Sequence, residues 1–522
     1  MSKAGGKGRR GGRSAKLRRD AAAKGHSRAV HPGLSGGAYK PLSDADIHRI
    51  YDTALTILET IGIGDPIPEI LAYALPKGAV LNEHNRLCFP RALVEDVLAQ
   101  IPKKHHVHAI NPQYDFEIRD KEVYFSTSGE AVTILDYKTQ SFRPSRLTDL
   151  YDAARLAHQL EHIHNFGQPF IAAEYSDDAY VHDINVAYAA LAGTSKAFSL
   201  STATVAHVDA LIAMFDTFLG REGAFVERPF CSIGGCPIVS PLRFGKDNAE
   251  VMVRLAELGL VADVAVAPQA GATSPAALAG SLAQCFAETL ACLCVVNFIR
   301  SGAPINFGMW PFISDLRTGA FTGGSGEEAL IMAATAQLCN HFGLLSSTGT
   351  GMTDAKTMDV QAGYEKALTV SAAALAGCNH VAAYPGVVGS LLAQSFEGMV
   401  IDNDMIGNVQ RMLRGIEVND ETLSYDVIKD VVYGVGHFLG HEQTLSLMKT
   451  EYLYPDLANR QTVGAWEEDG SMTMYEKARE RVKSLLADYY PERIDPAIDE
   501  KIRQRFPIKL NPQDMRAGNG RW

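Results

Sequence analysis

Apolar positions in this chain change their period along its length, and each change marks a new kind of element. Over residues 42–61 they fall at helical spacing, with Ile47, Ile50, Ala54, Leu55 and Leu58 on one face. Ser43 precedes them and Asp46 stands three residues on, the pairing that starts a helix; Gly62 ends it. A short helix over 67–75 follows. Next come two apolar runs at 79–81 and 87–89, joined by turn residues, and a helix from Pro90. Residues 123–126 and 131–136 flank Ser128 and Gly129 and read as an antiparallel pair. Helical spacing returns over 147–160.

From there the pattern repeats. Short apolar or small-residue runs occur at 163–170, 197–202, 230–234, 263–266, 305–308, 343–347 and 380–384, each followed by a turn and an amphipathic helix. The spacing is mostly about 30–40 residues, one βα unit. An eighth strand is expected near 409–418, or inside an element otherwise assigned. Alternation of this kind builds a barrel or an open doubly wound sheet. No GxGxxG follows the first strand and no Walker sequence occurs, which favours the α/β class with a TIM (β/α)8 barrel. Beyond residue 415 the pattern is helical at 425–435, 442–450 and 473–486. The expected organisation is a disordered basic tail (1–38), an N-terminal α+β region (39–145), the barrel (146–415) and a C-terminal helical cap (416–522).

Charge sharpens the first boundary. Residues 1–40 carry eleven Lys and Arg against one Asp, a net +10, so the remainder nets −21 of the whole-chain −11. A basic segment with few large apolar residues reads as a solvated tail, and the acidic body argues against nucleic acid as the main ligand. No uncharged apolar run reaches the roughly 18–20 residues that span a bilayer. Residues 289–299 read instead as a buried helix, and no signal peptide is visible. Eight cysteines without pattern fit reduced thiols and the cytoplasm.

Candidate chemistry gathers at strand ends, where a barrel places its active site. Phe307, Trp310 and Phe312 crowd one such end and Tyr384 another; together they could cage a quaternary ammonium by cation–π attraction. Residues 353–366 (TDAKTMDVQAGYEK) follow the glycine-rich 346–351 (SSTGTG) and supply Asp354 and Glu365 as candidate acid or base. The same segment offers Lys356, Gln361 and Tyr364 as candidate binding groups. Gly349, Gly351, Gly271 and Gly234 permit close backbone approach of a cofactor. No metal framework emerges: His437 and His441 lack a zincin glutamate, and His105, His106 and His108 sit in a polar stretch. No GxSxG elbow occurs.

Three blocks, in order, carry a family resemblance. They are YKPLSDADIHRIYDTALTILETIGI from Tyr39, TDAKTMDVQAGYEK, and GHFLGHEQTLSLMKTEYLYPDLANRQTVGAW, which includes Thr444, Glu451, Pro455, Arg460 and Trp466. With them the chain resembles the trimethylamine methyltransferase superfamily from about Tyr39 to its C-terminus. The resemblance implies a barrel enzyme that passes a methyl group from a methylated amine to the cobalt of a separate corrinoid (cobalamin) protein, with no tightly bound cofactor. Archaeal trimethylamine members carry pyrrolysine near this glycine-rich loop. Here the loop consists of ordinary residues, so the chain looks like the non-pyrrolysine branch, whose members act on quaternary amines such as glycine betaine. A betaine carboxylate would need Lys356, Arg317 or backbone amides of SSTGTG. The alternative is a non-catalytic quaternary-amine sensor of the same fold. The expected partners are a corrinoid-binding protein and a small amine, with self-association left open.

Overall fold

Strand β1 (Glu122–Ser126) has apolar side chains on alternate positions, and seven strands follow it at βα spacing. These are β2 (Asn165–Gly167), β3 (Ala197–Ser201), β4 (Cys231–Gly235), β5 (Ala262–Val266), β6 (Ile305–Met309), β7 (Ser346–Gly349) and β8 (His380–Ala382). In the computed structural model, which describes residues 28–522, each pairs in parallel with the next. Strand β8 returns to β1 and β1 pairs with β2, so the sheet closes on itself. Eight helices alternate with the strands: α1 (Leu147–Gln159), α2 (Ala179–Gly193), α3 (Val205–Leu219), α4 (Lys246–Leu258), α5 (Leu278–Ile299), α6 (Gly326–Phe342), α7 (Val360–Leu375) and α8 (Phe396–Arg414). This is the TIM (β/α)8 barrel.

The strand absent from the sequence pattern is β1. Residues 123–126 were expected to pair antiparallel with 131–136, inside the region 39–145. Instead β1 pairs in parallel with its barrel neighbours, and Thr133–Leu135 pairs antiparallel with Phe142–Pro144. Residues 409–418, the other candidate, are the end of α8 and the loop after it.

Register decides which side chains face the lumen. Ser201, Gly234, Asp263 and Asn306 form one row across β3 to β6, each opposite the next. The adjacent row, on the opposite face of the sheet, points at the helices: Phe307 meets Phe286 of α5 with ring centroids 6.1 Å apart. The helix-facing positions are fully buried, whereas Ser199, Ser201, Asp263 and Asn306 remain within reach of solvent. The lumen is therefore lined by small and polar residues rather than packed with the branched side chains usual in this barrel. The hairpin Lys104–Val107 and Phe116–Arg119 lies over its lower end, where a cavity of about 90 Å³ is lined by Asn165, Ser232, Asn306 and His380.

The N-terminal helices cover α5. Helix Asp44–Thr56, with its Ser43 and Asp46 capping box, Pro68–Ala74 and Arg91–Gln100 all lie against it. Helix α5 is thus apolar all round because protein surrounds it, and it is the one helix among the described residues long and apolar enough to cross a membrane. Most of the expected tail lies outside the described residues. Its end does not: Leu34–Ser35 pairs with β1, and Ala29 and Val30 are buried. C-terminal helices Met474–Ala487 and Pro496–Arg505 pack against α1, α8 and α3. Between α8 and the first of these, residues 416–470 bury Val431 and Leu457 but expose Ile416, Tyr433 and Leu439 at above 80%.

Candidate active site at the barrel mouth

Two strand-end residues take left-handed backbone conformations that only glycine adopts freely. Glu130, just after β1, has φ of 54°, and Tyr384, just after β8, has φ of 42°. Such conformations cost of order 1 kcal/mol each and persist where the fold needs a side chain aimed. Both side chains turn into the mouth from adjacent strands. The Tyr384 phenol bonds Ser128, and its ring meets Trp310 edge-on with centroids 6.2 Å apart. Trp310 stands two residues beyond Gly308 on the lumen side of β6, its amide held by the Val266 carbonyl at 2.9 Å. Phe312 lies 6.3 Å from Trp310, and Phe321 closes on Phe312 at 5.0 Å. A Cβ at Gly349 would sit 3.2 Å from both Trp310 and Phe312, so the glycine there makes room for the two rings.

Near this aromatic wall the mouth is acidic. The Glu130 carboxyl reaches Ser201 on β3, with His182, Asp183 and Asp263 around it. Glu130 is exposed to solvent at the mouth, with protein packed densely around the opening. Desolvation by that packing raises its pKa above the usual carboxylate value, Asp183 and Asp263 adding to the rise while Ser201 and His182 oppose it. Asp263 accepts from Asn306 Nδ2 at 2.6 Å and from Ser232 Oγ at 3.3 Å. Asp183 joins His182 at 3.1 Å and His207 at 2.7 Å. Glu328, at the start of α6, is fully buried with neither carboxylate oxygen partnered by protein; burial, then Asp354 and Glu365, hold it strongly toward the neutral acid. Cys236 stays a thiol at neutral pH, since crowding by protein and then the carboxylates of Glu130 and Asp263 push its pKa up to about 11.

The residues expected in the site divide sharply. Trp310, Phe312, Tyr384 and Gly349 meet at the mouth. Phe307 does not, because strand alternation sends it outward into the helix layer. Gln361 and Tyr364 lie on the outer part of α7, with Tyr364 59% exposed. Lys356 is exposed and donates to the Asp354 carbonyl at 2.6 Å, and Arg317 pairs with its own neighbour Asp315.

Asp354 and Glu365 are occupied as loop pins. Asp354 accepts from Thr322, from Gly323 N at 2.9 Å and from Ser390 Oγ at 2.5 Å. Glu365 accepts from Thr353 Oγ1 at 2.5 Å, Asp354 N at 2.9 Å and Gln361 Nε2 at 2.9 Å. The remaining glycines serve the backbone. At Gly351 φ is 80° and a Cβ would fall 2.1 Å from the Ala383 carbonyl. A Cβ at Gly234 would fall 1.8 Å from the Asp263 carbonyl, and Gly271 takes a φ of 88°.

Sequence reasoning missed Lys366, although it closes the signature segment. Its ammonium is buried and donates to the carbonyls of Gly351 at 2.6 Å and Tyr384 at 3.1 Å, and it pairs with Asp402 at 3.0 Å. Burial lowers the lysine and raises the aspartate, and the pair ties the loops after β7 and β8 together. Glu130 was missed because nothing local marks it; φ and position distinguish it only in the fold. Among the expected surface histidines, His106 and His108 each lie 3.3 Å from Asp115 on the lower hairpin. That carboxylate is already held: against burial, the Ala109 amide and the Arg228 guanidinium bring its pKa down to about 2.

Residues 9–509 match the family model described as trimethylamine methyltransferase. The chain is 29% identical to a glycine betaine methyltransferase of Desulfitobacterium hafniense (strain Y51) over 465 residues, 89% of this chain and 96% of that protein. It is 28% identical to a trimethylamine methyltransferase MttB of Desulfitobacterium hafniense (strain DSM 10664 / DCB-2), over 90% of this chain and 93% of that protein. Identity to the trimethylamine methyltransferase MttB of Methanosarcina thermophila is 27%, over 91% and 99%.

Proposed function

The chain belongs to the trimethylamine methyltransferase family and is a methyltransferase; on that premise we propose that it takes a methyl group from a quaternary or tertiary methylated amine and delivers it to the cobalt(I) of a corrinoid carried by a partner protein. The observation that carries this reading is the mouth itself. Trp310, Phe312 and Tyr384 form an aromatic wall, and the Glu130 carboxyl is among the charges that act on Tyr384. A quaternary ammonium group has no N–H to donate, so π-faces and a nearby carboxylate are what can hold it.

The bond changes need little from the protein beyond position. The methyl carbon exchanges its bond to nitrogen for one to cobalt. The C–N electron pair stays on nitrogen, which leaves as a neutral amine, and cobalt(I) supplies both electrons of the new bond. A quaternary substrate therefore requires no general acid, in keeping with an Asp354 and Glu365 already committed to loop hydrogen bonds. The work left to the chain is orientation and exclusion of water, done by the rings and by the Lys366–Asp402 tie beneath them.

The test is methylation of free cob(I)alamin or a corrinoid protein by a panel of methylated amines, followed in the corrinoid absorption spectrum. Transfer is expected from at least one, and Trp310→Ala should raise its KM by about 3- to 30-fold, the range of one desolvated cation–π contact. Failure of every amine, while a glycine betaine methyltransferase works in the same assay, would overturn the reading.

A further inference from the structure

Resting on that reading, we propose that this mouth selects methylated ammonium compounds of net positive charge that carry no carboxylate, with Glu130 as the residue that pairs with the cation. A zwitterionic betaine brings a carboxylate that must find a cation or free amide donors within the site. Among the described residues, the cations nearest the mouth are already paired, and the unpartnered donor on its wall is the neutral Trp310 Nε1–H. Lys366 spends its ammonium on two carbonyls and Asp402. Lys356 and Arg317 lie outside, Arg317 being 89% exposed as it pairs with Asp315. In the glycine-rich turn, the Thr350 amide donates to the Ala382 carbonyl at 2.9 Å and the Gly351 amide to Thr369 Oγ1 at 3.1 Å.

What surrounds the guest is acid instead. The charged and titratable groups acting on Glu130, Tyr384 and Glu328 are His182, Asp183, Asp263, Cys236, Asp354, Glu365 and the committed Lys366. A second carboxylate placed among them is repelled, whereas a bare cation gains a partner. The left-handed backbone at Glu130 is the geometric observation that stands beside these charges.

The same geometry gives a proton signature. Crowding and the facing Asp183 and Asp263 favour the neutral acid at Glu130 in the empty mouth, while His182 and Ser201 favour the anion. A cation arriving beside it favours the anion further, so binding releases a proton and tightens as pH rises through the pKa of that group.

Calorimetric titration of the whole protein with tetramethylammonium, choline and glycine betaine, in two buffers of different ionisation enthalpy, tests this. Tetramethylammonium or choline is expected to bind at least tenfold tighter than glycine betaine, with a buffer-dependent heat that reports proton release. Glu130→Gln should erase both the preference and the proton release; should that variant fail to fold, the wild-type preference and its rise with pH still decide. Equal or tighter binding of glycine betaine, with methyl transfer from it, overturns the selectivity and leaves the proposed function standing. Transfer from none of these and from no other methylated amine, while a glycine betaine methyltransferase works in the same assay, removes the function and the selectivity together.

Discussion

Lys196 is enclosed below the barrel, where its ammonium donates to the carbonyls of Ala157 and Leu160 at 2.8 Å and of Ile163 at 2.5 Å. These are the end of α1 and the approach to β2, so one side chain fastens a helix terminus to the next strand. Burial brings its pKa down to about 7 from 10.5. The unfolded chain then holds that proton up to about pH 10 while the folded one sheds it near 7, so the unfolded state binds more protons in between. Stability contributed at this site rises with pH over that window, by about 1.4 kcal/mol per unit at most, and is flat below it. Urea unfolding of the wild type and Lys196→Met at pH 7, 8 and 9 checks this: the wild type should gain on the variant by about 2 kcal/mol, and a constant difference would refute it. Other single residues show how far sequence reaches. Trp310 and Tyr384 were recognisable as aromatics beside turns. Whether Phe307 faced lumen or helix depended on register, which no local pattern fixes. Asp354 and Glu365 look catalytic by type and are occupied by hydrogen bonds from Thr322, Ser390 and Thr353, far apart in sequence or hidden in the turn.

Among the elements, periodicity identified seven strands and misplaced one. Strand β1 and the run after it flank Ser128 and Gly129, which imitate a hairpin turn; only the fold reveals that Gly129 passes over the Pro169 carbonyl, where a Cβ would come within 2.7 Å. The segment 416–470 is the weakest part of the described chain by the same physics. Helix Tyr425–Val432 presents Tyr425, Ile428 and Val432 to solvent and buries Val431. With so little apolar surface removed from water, it opens at low cost. Among the described residues, limited proteolysis of the isolated chain should therefore cut first within 416–470, and the amides there should exchange sooner than those of α5. Protection equal to α5 would mean that another molecule covers it.

At the scale of the molecule, composition separated a basic N-terminus from an acidic body, yet it placed the boundary too late. Ala29, Val30 and Leu34 are buried, and Leu34–Ser35 extends the sheet at β1. Deleting residues 1–37 should lower the melting temperature by on the order of a few degrees through that lost burial, read by calorimetry or dichroism. An unchanged melting curve would show that the strand contributes nothing. The barrel class itself was legible because each βα unit repeats a simple code; the identity of the mouth was not, because it is assembled from the ends of strands far apart.

Closure of the sheet by β1 against β8, with Ser126 opposite Ala382, sets a condition on synthesis. The ribosome delivers the first strand long before its last neighbour exists, so the nascent chain waits with an open edge through most of translation. Production in a host whose chaperones are depleted is where this protein would first be lost.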